Sequence, residues 1–74
     1  MRSKEQILID FGNRLRKIRT SRELTQMDVA VKVDSYPNYI SKLESGKSEP
    51  GLFLIIALAN ALNVPVKELM EDQI

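Results

Sequence analysis

The stretch from Leu24 to Gly46, LTQMDVAVKVDSYPNYISKLESG, admits few arrangements other than two short helices joined by a tight turn. Thr25 is an N-cap residue, and Asp28 stands three positions on, where an acid can bond back to the cap's own N–H. Leu24 lies just before the cap and Val29 four positions after it, the spacing of a hydrophobic staple. Val29, Ala30 and Val33 give this helix its apolar side, and the small Ala30 lets a second helix cross it closely. Asp34 marks the break, because aspartate tolerates a left-handed turn better than most residues. Pro37 then suits the first turn of a second helix, where a missing N–H costs little. Ile40 and Leu43 face inward along that helix, and Gly46 ends it as a left-handed cap. Its opposite arc, Pro37, Asn38, Ser41, Lys42 and Ser45, is left free.

Seventy-four residues make a single domain, 1–74, with a core over about 5–70 and the two-helix unit at about 25–45. The chain has no cysteine and no histidine, which excludes disulfides, thiolate chemistry and the usual zinc sets. No long apolar run opens it, so neither a signal peptide nor a membrane span is expected, and a cytoplasmic location fits. The net charge of +1 points to no partner, but its distribution does. Arg2, Lys4, Arg14, Arg16, Lys17, Arg19 and Arg22 crowd the first 22 residues against Glu5 and Asp10, so one end of the molecule is expected to face phosphates.

Ile7, Phe11, Leu15 and Ile18 line one stripe of a first helix from about Lys4 to Thr20. A polar loop with glycine and proline follows the two-helix unit. A fourth helix runs from about Leu52 to Leu62. Leu52, Ile55, Ile56, Leu58, Ala59 and Leu62 are its expected core side, while Phe53, Leu54, Ala57 and Ala61 leave the outer side apolar too. A helix apolar nearly all round is buried on more than one side, so that outer face is expected to meet a second copy of the chain or another protein. Val66 to Met70 makes a short fifth helix with Val66 and Leu69 inward. The acidic end, Glu71 and Asp72, is expected to fray. With Glu68 these acids are solvated rather than metal-binding. No nucleophile–base set, phosphate loop or cleft acid pair is present, so the chain is not expected to be an enzyme and calls for no cofactor.

The chain resembles the Cro/repressor-type (XRE-like) helix-turn-helix family. LRKIR at 15–19, LTQ at 24–26, Ala30, YISKLE at 39–44, Gly46, Pro50 and LANALNV at 58–64 carry the resemblance in order and without gaps. Within the family, FGNRLRKIR near the start is similar to the small controller proteins of restriction–modification systems, and the build is also similar to compact phage repressors. The resemblance implies an all-α, compact five-helix lambda-repressor-like domain. It also implies a homodimeric, sequence-specific regulator of transcription that binds double-stranded DNA. The second helix of the unit would lie in the major groove of a palindromic operator. Four positions depart from the family pattern: Glu23 stands where glycine or asparagine is customary, Asp34 where the turn glycine is, Ser35 where an aliphatic residue is common, and Pro37 where a polar residue often reads bases.

On that reading Tyr36, Pro37, Asn38, Ser41 and Lys42 face base edges. Asn38 matches adenine, Lys42 matches guanine, Pro37 suits a thymine methyl, and Tyr36 suits either that methyl with its ring or a phosphate with its hydroxyl. Arg16, Arg19, Thr25, Gln26, Tyr39, Ser45 and Lys47 are the expected phosphate contacts, with Gln26 at a helix N-terminus. The resemblance further pairs Arg19 with Glu44 as a structural ion pair. Phe53, Leu54, Ala57 and Ala61 are the expected dimer interface.

Overall fold

The computed structural model describes residues 2–73, apart from the Asp72 side chain. Ser3 Oγ accepts from the Gln6 N–H at 3.1 Å and starts α1, Lys4–Ser21. Thr25 opens α2, Gln26–Lys32, through a full capping box. The Asp28 N–H donates to Thr25 Oγ1 at 3.0 Å, and the Thr25 N–H donates to Asp28 Oδ2 at 2.8 Å. Pro37 is the first residue of α3, Pro37–Glu44; α4 is Leu52–Leu62 and α5 is Val66–Leu69. No strand occurs among the described residues.

The first four helices end in one way. A left-handed residue lets the next N–H reach back five residues, which satisfies a carbonyl of the last turn. Leu24 N–H bonds Arg19 O across Glu23, Ser35 bonds Ala30 across Asp34, Lys47 bonds Lys42 across Gly46, and Val64 bonds Ala59 across Asn63. The four φ values lie between +56° and +76°. Only one of these residues is glycine. Glu23, the departure noted before LTQ, therefore holds a conformation that side chains with a Cβ occupy at a cost.

The side chains inside are those the periodicity selects. Phe11, Leu15 and Ile18 of α1 meet Val29 and Ala30 of α2, Ile40 and Leu43 of α3, Leu58, Ala59 and Leu62 of α4, and Leu69 of α5. Helix α3 lies between α1 and α2, while α4 closes the far side against α2 and α5. At Gly12 the backbones of α1 and α3 all but touch. A Cβ there would sit 2.4 Å from Leu43 O and 2.5 Å from Glu44 O, so no other residue fits without moving α3.

Four expectations need correction. Leu52 and Ile56 are not core: they are 75% and 43% exposed, because the first turn of α4 projects past the helices that could cover it. Of the presumed outer face, Phe53 is 83% exposed, but Leu54 packs against the core and Ala57 and Ala61 are half-buried. The exposed apolar stripe is therefore Leu52, Phe53 and Ile56, and Leu54, Ala57 and Ala61 lie beside it rather than on it. Val66 also faces out, leaving Leu69 to anchor α5. Finally, Glu71–Gln73 form a 3₁₀ turn instead of fraying. Gln73 Nε2 donates to Ile7 O at 2.9 Å, and Glu71 lies 3.7 Å from Arg14. Residues Met1 and Ile74, and the Asp72 side chain, fall outside the described residues.

Candidate nucleic-acid interface

The outward arc of α3 is set by what its inward arc must bury. With Ile40, Leu43 and Glu44 against the body, Asn38, Ser41, Lys42 and Ser45 are exposed. Pro37 and Tyr39 are half-buried, Tyr39 being packed on the core, and Tyr36 stands free at the helix start. Asn38 and Lys42 are one helical turn apart on this arc, the spacing at which two side chains act side by side.

Beneath the arc lies a bracket of charge. Arg19 Nε donates to Glu44 Oε2 at 2.6 Å, and Arg19 Nη2 donates to Glu44 Oε1 at 3.0 Å, a bidentate pair. Arg19 Nη1 donates to Leu24 O at 2.8 Å, which ties the end of α1 to the start of α2. Gln26 Nε2 donates to the same Glu44 Oε1 at 3.1 Å. An ionised carboxylate only accepts, so the nitrogen of the Gln26 amide is the atom that must face it. The Arg19 and Glu44 side chains are 11% and 4% exposed. The hydrogen bonds to Glu44 hold the Arg19 guanidinium above its ordinary pKa, against the opposing effect of burial. One carboxylate thus locks α1, α2 and α3 together directly under the exposed arc.

Above the bracket a crevice of about 250 Å³ is lined by Arg16, Arg19, Gln26, Ser41, Glu44 and Ser45. Ser41 therefore looks into this crevice beside Arg16, rather than out along the Asn38–Lys42 line. Thr25 spends its hydroxyl on the Asp28 cap, and Ser45 Oγ donates back to Lys42 O at 3.2 Å. Lys47 is exposed in the loop after α3.

The basic start of the chain is less positive than its residue count implies. Arg2 pairs with Asp10, Lys4 with Glu49 at 3.0 Å, Arg14 with Glu71, and Arg19 with Glu44. Arg16, Lys42 and Lys47 have no carboxylate partner among the described residues. The basic end expected to face phosphates is thus partly neutralised within the fold, and Arg16 remains at the crevice with Lys42 and Lys47 on and after α3. The Gln26–Glu44 bond and the close approach at Gly12 were not foreseen. A glycine inside an otherwise regular helix was the available signal for the second.

Comparison with known proteins agrees with this architecture. The helix-turn-helix family model matches residues 15–69. The chain is 33% identical over 67 residues to the control protein C.MunI of Mycoplasma sp, covering 89% of this chain and 90% of that one. It is 32% identical over 59 residues to multiprotein-bridging factor 1 of Candida albicans, of which it spans only 39%. The crystal structure of the restriction–modification controller protein C.AhdI from Aeromonas hydrophila superposes with a TM-score of 0.82 at 35% identity, over 84% of this chain and 94% of that one. With the family model matching residues 15–69 and a relative 33% identical over nearly the whole of both chains, the chain belongs to the Cro/repressor-type helix-turn-helix family of DNA-binding regulators.

Proposed function

We propose that this chain is a cytoplasmic, homodimeric regulator of transcription that reads a palindromic operator with α3 in the major groove. The observation that carries the proposal is the pairing of an exposed Asn38–Lys42 face with the buried Arg19–Glu44–Gln26 bracket directly behind it. A reading element needs side chains in the groove and a support that does not yield. Asn38 offers the donor and acceptor that match adenine, and Lys42 donates to guanine O6 or N7. Arg16, Gln26, Tyr39, Ser45 and Lys47 surround this face and supply contacts to phosphate, which set register without reading sequence. Arg19 and Thr25 contribute to that grip through the backbone they hold in place.

Dimerisation is supported by the exposed stripe of Leu52, Phe53 and Ile56, a surface too apolar to be left to water. A two-fold pair would set its two α3 helices about 34 Å apart, one turn of duplex. The same stripe also suits a different protein partner, and sedimentation of the pure chain separates the readings. A reversible dimer at micromolar concentration supports the first, and a strict monomer supports the second.

Selection of bound sequences from a random duplex pool tests the DNA reading. Asn38→Ala or Lys42→Ala should change the selected motif and cost about 1–3 kcal/mol on the original operator. Gln26→Ala or Lys47→Ala should lower affinity for all duplexes alike. Uniform affinity of the unaltered protein for every sequence would overturn sequence-specific regulation.

A further inference from the structure

Tyr36 and Pro37 stand at the leading end of α3, Tyr36 with no structural duty for its side chain and Pro37 half-buried at the first helical position. Tyr36 is the N-cap, yet its side chain makes no capping bond and is 77% exposed. Its carbonyl does the anchoring, accepting from the Tyr39 N–H at 3.0 Å and the Ile40 N–H at 3.2 Å. The backbone is fixed while the ring is displayed. Pro37 follows as the first helical residue, with no N–H and only C–H groups to offer. The start of α3 thus presents an exposed aromatic ring, tipped by one hydroxyl, and the open side of a proline ring before Asn38.

We infer that Tyr36 and Pro37 form a gauge for the C5 methyl of a pyrimidine, next to the base that Asn38 reads. The inference rests on the proposal that α3 enters the major groove. Polar edges of bases pressed against a proline ring would lose water without replacement, which is unfavourable. The major-groove edge of a duplex carries one apolar group, the C5 methyl of thymine. An apolar leading end therefore fits thymine, and it fits 5-methylcytosine equally, since that base carries the same methyl at the same place. Operator occupancy would then respond to cytosine methylation at this one step of each half-site.

The test uses the full chain and an operator selected from a random duplex pool, with affinity read by fluorescence anisotropy. Each thymine is replaced in turn by deoxyuridine, which removes the methyl and alters no hydrogen-bonding group. At one position per half-site, affinity should fall about fourfold, the effect of one buried methyl. Changing both half-sites should give a fall of about fifteenfold. A guanine–cytosine pair at that position should bind more weakly, and 5-methylcytosine should recover about fourfold. In Tyr36→Ala/Pro37→Ala, whose fold is checked by circular dichroism, thymine and uracil operators should bind alike. If that variant does not fold, Tyr36→Ala alone, which leaves the first helical residue unchanged, takes its place in the same comparison. Indifference to uracil at every position overturns the inference alone, as does a uracil effect that persists in the folded variant. Failure to select any operator overturns both the inference and the reading beneath it.

Discussion

Glu44 is the residue on which most of the site depends. It is nearly sealed from solvent and receives three donors from two side chains on two helices. Glu44→Ala would leave the Arg19 guanidinium without its counter-charge, and a charge stranded in that position costs about 3–5 kcal/mol. Urea unfolding of the variant is the measurement; a loss of a few tenths would mean that the pair carries no weight. Asp28 makes a smaller and pH-dependent contribution. The Thr25 backbone N–H, and then its side chain, hold the Asp28 carboxyl below the ordinary aspartate value of 3.8. A carboxyl lowered in the folded state stabilises fully above its unfolded pKa and loses that contribution as pH falls through the folded value. Asp28→Asn should therefore flatten the loss of stability seen on acidification, and melts taken from neutral pH down through the carboxylate range will reveal it. An acid limb of unchanged steepness would mean that the cap does not report on Asp28 ionisation.

At the scale of helices, the contact at Gly12 fixes how closely α1 and α3 can lie. Gly12→Ala forces a methyl against two carbonyl oxygens of the α3 backbone, which have no rotamer to escape into. Its cost should reach at least the upper end of the about 1–3 kcal/mol usual for overpacking, and thermal or urea unfolding measures it. A variant as stable as the parent would show that α3 can slide and that Asn38 and Lys42 rest on a yielding support. The sequence made some of this legible and hid the rest for identifiable reasons. Thr25, Asp28, Pro37 and Gly46 announce helix ends because capping is local chemistry, written in neighbouring residues. Gly12 announces only a preference, since what approaches it lies more than thirty residues away. Helix α4 misled because it is apolar on nearly every side, so its pattern gives no contrast from which to choose a face. The candidate interface divides likewise: the free arc of α3 follows from Ile40 and Leu43, whereas the turn of Ser41 into the crevice and the Gln26–Glu44 bond depend on tertiary placement.

The described residues span 34 × 23 × 22 Å, and the apolar stripe of Leu52, Phe53 and Ile56 is where a second copy is proposed to meet them. Phe53→Glu should shift the sedimentation of the proposed dimer to that of a monomer while leaving helix content unchanged, because the ring touches little of its own chain. An unshifted dimer would place the contact elsewhere. The ion pairs of Arg2, Lys4, Arg14 and Arg19 have a larger consequence. With those four cations answered within the fold, Arg16, Lys42 and Lys47 are the ones beside the proposed DNA face that have no carboxylate partner among the described residues and can displace counter-ions from a duplex. In the proposed dimer, four to six such contacts would give a slope of log affinity against log salt between about −4 and −5, against about −10 for a repressor that grips with many more cations. A protein balanced internally in this way holds weakly to random chromosome. It parts readily from wrong addresses, and so few copies are wasted on the genome at large before the right one is found.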